Sequence, residues 1–158
     1  MPRNLALKSL NSVGGAPGQV ERRLELLFLQ NPKLSGRDRA FGVHLVQGVL
    51  RWRIRLDWIL KQYVRFPFKK VAPEVLNILR LALFQILFLD RVPESAAVNE
   101  AVKQSRKIGQ KHVVKFVNGI LRQICREKDH IPYPDRDKEA SLYASVYCSY
   151  PMWLVKKW

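Results

Sequence analysis

Apolar residues recur at helical spacing along almost the whole chain, and no run alternates with the two-residue period of a strand. The strongest segment is PEVLNILRLALFQILFL at residues 73–89. It is apolar at nearly every position, with Asn77, Arg80 and Gln85 forming a thin polar stripe. Pro73 suits the first turn of a helix, where its missing N–H costs nothing. Glu74 complements the positive end of the helix dipole. A helix apolar on all sides belongs at the centre of a globular core. As a membrane span it falls short of the ~20 residues required and carries an arginine.

Two further helices are predicted downstream. The break DRVP at 90–93 leads into ESAAVNEAVKQSRKIG at 94–109. There Val98, Ala101, Val102, Ser105 and Ile108 share one face, Lys103, Arg106 and Lys107 lie off it, and Gly109 is a natural stop. The run KHVVKFVNGILRQICR at 111–126 turns Val113, Phe116, Val117, Ile120 and Ile124 inward. Lys111, Lys115, Arg122 and Arg126 project largely from its other side. Asn99 and Asn118 hold matching places in these two helices and are expected to cap or bridge them. Gly119 is expected to permit close helix approach.

Upstream, helices are predicted over 3–13 and 19–30, separated by GGAPG at 14–18. The second turns Val20, Leu24, Leu27 and Phe28 inward. NPKLSG at 31–36 reads as a loop, with Ser35 an N-cap for the next helix. Phe41, Leu45, Val49 and Trp52 continue at helical steps, and Leu56, Ile59, Leu60 and Tyr63 extend the pattern after a kink. FPFKKVAP at 66–73 connects to the apolar helix. A second connector, IPYPDRD at 131–137, precedes a last helix over 138–158, interrupted at Pro151. The expected fold is all-α, with two packed helical subdomains divided near 66–73.

Charge changes the picture from a generic bundle to a polyanion binder. The chain of 158 residues carries a net +15. Residues 1–70 hold 14 Lys/Arg against 4 Asp/Glu, net +10, whereas 71–130 carry +4 and 131–158 only +1. Such a field favours phosphate contacts, because they release condensed counterions. No helix combines a broad basic face with exposed bulky apolar residues, so nucleic acid is preferred over a membrane surface. The start lacks the continuous apolar core of a signal peptide, which makes the cytoplasm the expected compartment.

Candidate chemistry is sparse. GGAPG has neither a preceding strand nor a following Gly-Lys-Ser/Thr, and reads as a turn. His44, His112 and His130 lack metal-ligand spacing, so no metal is expected. Asp38, Asp57, Glu94 and Glu100 form no evident acid/base pair. Cys125 and Cys148 make no disulfide framework; Cys125 reads as a small core residue, and Cys148 as either buried or exposed. The densest basic-aromatic run is RWRIRLDW at 51–58. Arg51 and Arg55 share a helix face as candidate phosphate contacts. Trp52 and Trp58 suit either base stacking or the core, and the core reading is preferred.

The phrases AVNEAV and FVNGILR, inside LRLALFQILFLDRVPESAAVNEAVKQSRKIG…KFVNGILRQICR, resemble the core of the NusB family of RNA-binding domains. RNLALKSL at 3–10 and RDRAFGVHLVQGVLRWRIRLDWIL at 37–60 are similar to that family's opening and middle helices. The tail SYPMWLVKKW resembles the segment joining such a domain to the catalytic domain of bacterial methyltransferases of the Sun or RsmB type, which make 5-methylcytidine in small-subunit ribosomal RNA. The resemblance implies a NusB-like RNA-binding domain over 1–130 and a connector over 131–158, cut before the catalytic domain. S-adenosylmethionine would bind that absent domain; this chain would hold no cofactor and have no activity alone. In that family the catalytic cysteine follows a proline, and neither Cys125 nor Cys148 does. Implied partners are ribosomal RNA and the protein's own catalytic domain. Candidate RNA contacts are Arg3, Lys8, Arg51, Arg55, Lys103, Arg106, Lys107, Lys111, Lys115 and Arg122. Arg3 and Lys8 enter because the family's basic first helix touches RNA. Two alternatives stay open: a stand-alone antitermination factor acting with a ribosomal protein, and a scaffold packing Trp153, Leu154 and Trp158 against the catalytic domain.

Overall fold

The apolar helix is the axis of the fold. In the computed structural model, which describes residues 1–12 and 16–157, it runs over Pro73–Phe88 and is the fourth of eight α-helices among the described residues. Every residue from Val75 to Ile86 is buried. Around it lie α1 (Pro2–Leu10), α2 (Pro17–Leu29), α3 (Gly36–Tyr63), α5 (Glu94–Arg106) and α6 (Lys111–Glu127). The chain closes with α7 (Ala140–Cys148) and α8 (Met152–Lys157). The first three helices pack on one another, as do α4, α5 and α6, and the two groups meet where α3 and α1 cross α4. This is the all-α, two-part bundle expected, with one continuous apolar core.

The polar stripe of α4 is not solvated; it ties the two groups together. Arg80 is bidentate on Asp57 of α3, with Nε–Oδ1 at 2.7 Å and Nη2–Oδ2 at 3.0 Å. Its Nη1 donates to Asn77 Oδ1 at 3.0 Å, and Asn77 Nδ2 donates to Leu10 O and Asn11 Oδ1 at the end of α1. Gln85 accepts from Arg3 Nε at 2.7 Å and donates to Leu81 O. Buried polar groups must find such partners, so each position of the stripe fixes a neighbouring helix.

Close approach of α3 to α4 depends on Gly48. A Cβ there would overlap the ring of Phe84, itself only 2% exposed. Ser35 caps α3 as expected, its Oγ accepting from Asp38 N at 3.1 Å. Several boundaries differ from expectation. The third helix runs unbroken through 36–63 where a kink was expected, because Leu45, Val49, Leu56 and Ile59 keep one buried face throughout. The second begins at Pro17 and includes Gly18, since proline is well suited to a first turn. The first ends at Leu10 rather than 13; Val13, Gly14, Gly15 and Trp158 lie outside the described residues. No helix among the described residues is long and apolar enough to cross a membrane.

Candidate nucleic-acid interface

The helices α5 and α6 form a hairpin, turned at Gly109 with φ +85. An ion pair between Lys128, just past α6, and Glu94, at the start of α5, closes its open end. The inner faces bury Ala97, Val98, Ala101 and Ser105 on α5, and Val113, Val117, Ile120, Leu121 and Ile124 on α6. Because the apolar positions are spent inward, Lys103, Arg106, Lys115 and Arg122 are left exposed on the outer faces. Lys111 is exposed in the first turn of α6. Asn99 and Asn118 lie on this outer side too, which corrects their expected bridging role. Asn99 is exposed, and Asn118 accepts from Arg122 Nε of its own helix at 3.0 Å. Gly119 is likewise exposed, and a Cβ there would meet nothing within 4 Å. It permits no close helix approach within this chain; instead it leaves a smooth, methyl-free spot between Lys115 and Arg122.

Beside the N-terminal end of α6 lies an aromatic platform that the sequence pattern did not single out. Phe66 is 46% exposed and tilts against Phe116 with ring centroids 5.4 Å apart. The pair borders an open groove of about 460 Å³ lined also by Lys70, Gln110 and His112. An exposed Phe66 ring tilted on the half-buried Phe116, with Lys70 at the groove, matches what unpaired bases stack on. The signal was present in FPFKK at 66–70, which also reads as a plain connector.

The remaining candidates divide. Lys8 of α1 and Lys107 after α5 meet at a second groove of about 360 Å³, floored by Asn4 and Gln104. Glu74 on its edge weakens the positive field there. Arg3, Arg51 and Arg55 are engaged within the chain. Arg3 bonds Gln85 and lies over Phe41, with 5.3 Å to the centroid. Arg51 Nη1 donates to Cys148 O at 2.9 Å and Ser149 O at 3.2 Å, its guanidinium between the rings of Trp52 and Tyr150. Arg55 donates to Tyr133 Oη at 3.0 Å and Tyr147 O at 3.3 Å, and sits 4.0 Å from the Tyr147 centroid. Burial pushes the Tyr133 phenol above its ordinary range, against the opposing pull of Arg55. Trp52 stacks on Phe88 at 4.7 Å, and Trp58 Nε1 donates to Pro132 O at 3.2 Å, so both tryptophans serve packing. The RWRIRLDW run thus holds the C-terminal segment.

Among the described residues no group of three His, Cys, Asp or Glu side chains converges to hold a metal. The Cys125 thiol is pushed up by burial, with the neighbouring Glu94 carboxylate adding to the effect. Cys148 is exposed.

The NusB family model matches residues 1–126 of this chain. The chain is 35% identical over 156 residues to the probable ribosomal RNA small subunit methyltransferase B of Bacillus subtilis (strain 168), a match covering 99% of this chain and 34% of that protein. The protein of the same description from Synechocystis is 38% identical over 154 residues, 98% of this chain and 34% of its own length. The transcription antitermination protein NusB of Geobacter sulfurreducens is 32% identical over 124 residues, 78% of this chain and 90% of that protein. This chain therefore spans about a third of the length of its methyltransferase relatives. It belongs to the NusB family.

Proposed function

We propose that this NusB-family chain is the RNA-docking region of a longer ribosomal RNA small-subunit methyltransferase. The observation that carries the reading is the end-to-end match to the methyltransferase relatives, over 156 of 158 residues. The match to the Geobacter antitermination protein covers 124 residues, and the family model stops at 126. The segment beyond is therefore shared with the long relatives, and Arg51, Arg55 and Trp58 hold it on α3.

In this reading the outer faces of α5 and α6 receive the phosphate backbone through Lys103, Arg106, Lys111, Lys115 and Arg122. Unpaired bases stack on Phe66 and Phe116, and Lys8 with Lys107 extends the contact toward α1. Gly119 lets the RNA backbone approach α6 closely. Arg3, Arg51 and Arg55 act as positioning residues, since their guanidinium groups already have acceptors. Methyl-donor binding and transfer to cytosine C5 belong, in this proposal, to the remainder of the longer protein, and this chain alone has no activity.

The test is a Lys115→Ala/Arg122→Ala double variant of the full-length protein. The expected result is loss of small-subunit rRNA methylation with methyl-donor binding unchanged. Full methylation at limiting enzyme would refute the docking face. A second reading, a free-standing antitermination factor, is favoured by the 90% coverage of the Geobacter relative. It predicts rescue of an antitermination reporter, which the first reading does not.

A further inference from the structure

We infer that the connector between the two helical groups is a second RNA contact, and that the RNA crossing it is an unpaired strand clamped between the connector and α6. The inference rests on the proposed RNA-docking reading and adds to it the path of the strand and the cations Lys61, Arg65, Lys69 and Lys70.

Charge on the connector is concentrated and unopposed. Residues 58–73 hold these four cations and no Asp or Glu. All four are exposed, and none makes an ion pair among the described residues. The flanking carboxylates are engaged elsewhere: Asp57 is bidentate with Arg80, and Glu74 borders the groove of Lys8 and Lys107. No carboxylate lines the groove beside Phe66. On α5, by contrast, Lys103 lies 3.6 Å from Glu100. An unopposed cluster of this kind suits a polyanion, because each phosphate contact releases counterions.

The connector is also held in shape. Val71 is only 6% exposed, and Phe68 packs against the core. Lys70 N donates to Pro67 O at 2.9 Å and Val71 N to Phe68 O at 3.0 Å, closing a 3₁₀ turn over Phe68–Lys70. With Phe68 and Val71 turned inward, Lys69 and Lys70 are left outward. Lys61, near the end of α3, lies 5.2 Å from the Phe68 ring centroid, which ties it to the same turn. A surface fixed in this way loses little freedom on binding.

Phe66 decides the class of ligand. Its ring is 46% exposed and leans on Phe116 of α6, with 5.4 Å between centroids. It stands where the connector meets the first turns of α6, which carry Lys111 and Lys115. A duplex keeps its base faces inside its own stack and would leave this ring unused. An unpaired strand can lay a base on the ring while its phosphates meet cations of the connector on one side and of α6 on the other.

The test is a salt titration of RNA binding by the full-length protein, read by fluorescence anisotropy with a labelled unstructured RNA and with a duplex of the same sequence. Arg65→Ala/Lys69→Ala/Lys70→Ala should reduce the magnitude of the salt slope for the single strand by about 2, or about 0.7 for each phosphate contact removed. Lys69→Arg/Lys70→Arg should keep the wild-type slope. Phe66→Ala should weaken the single strand about tenfold and leave the duplex unchanged. Arg22→Ala/Arg23→Ala/Arg37→Ala removes the same charge from exposed positions on α2 and α3 and should change the slope little. A connector variant that binds like wild type, while Lys115→Ala/Arg122→Ala loses affinity, would overturn the inference and leave the functional reading intact. An equal loss in the α2 and α3 control would reduce the connector to part of a general field and overturn it as well. So would a duplex that responds to Phe66→Ala as the single strand does. Undiminished RNA binding by every variant would overturn both.

Discussion

Two glycines on helices, Gly48 and Gly119, should respond to the same substitution with opposite signs. An alanine at 48 drives its methyl into the Phe84 ring. That ring cannot swing aside freely: it is 2% exposed, meets His44 edge-on at 5.7 Å and stacks on Phe88 at 5.5 Å. Overpacking of this kind costs roughly 1–3 kcal/mol, and a complete overlap belongs at the upper end. The gain in helix propensity from glycine to alanine returns about 1 kcal/mol. The net expectation for Gly48→Ala is a loss of about 2 kcal/mol, or about 4–8 °C in Tm at this chain length. At Gly119 an added Cβ meets nothing within 4 Å, so only the propensity gain of about 1 kcal/mol remains. Gly119→Ala should therefore melt about 2–4 °C higher. If the outer face of α6 docks RNA, the same methyl should weaken rRNA binding while the fold gains stability. Denaturant and thermal unfolding of both variants beside the wild type supply the check. A Gly48→Ala protein as stable as wild type, or a Gly119→Ala protein that melts lower, would refute the packing argument.

Arg80→Ala should cost about 3 kcal/mol, because it removes the bidentate partner of Asp57, leaving that carboxylate only Arg53 at 3.9 Å, and the donor to Asn77 Oδ1; Arg80→Met paired with Asp57→Leu should recover most of that in chemical denaturation. Thiol labelling at neutral pH should modify Cys148 well before Cys125, whose thiol is half-buried and raised by burial and Glu94; equal rates would contradict this geometry. Tyr133 holds its proton above the ordinary tyrosine range, so its contribution to stability is complete below about pH 10 and lost as pH rises through the folded-state value. Melts between about pH 8 and 11 should show a decline that Tyr133→Phe makes shallower, and an unchanged slope in that variant would remove Tyr133 from the account.

The helices were legible where a single face carries the apolar residues, as in α2, α5 and α6. The all-round apolar α4 announced its own central position. Its stripe was legible only as polarity: that Arg80 would meet Asp57, and Asn77 the end of α1, depends on crossings that no local spacing encodes. The same limit explains Arg51 and Arg55. Their basic, aromatic-flanked sequence fits a phosphate contact equally well, and only the fold shows their acceptors to be carbonyls and a phenol some 78–98 residues away. Gly119 and the two asparagines carried a pattern without a direction. Which side of a helix such residues occupy is decided by the neighbours, and here those neighbours leave them facing outward.

The central claim, that the outer faces of α5 and α6 dock ribosomal RNA, is tested most directly by fluorescence anisotropy. A labelled small-subunit rRNA hairpin would be titrated at two salt concentrations against a scrambled RNA, with wild type and the Lys115→Ala/Arg122→Ala variant. The account predicts preference for the true hairpin, weakening with salt, and a variant whose salt slope is smaller by about 0.7–0.9 per phosphate contact removed. Equal binding of both RNAs, or a variant indistinguishable from wild type, would contradict it.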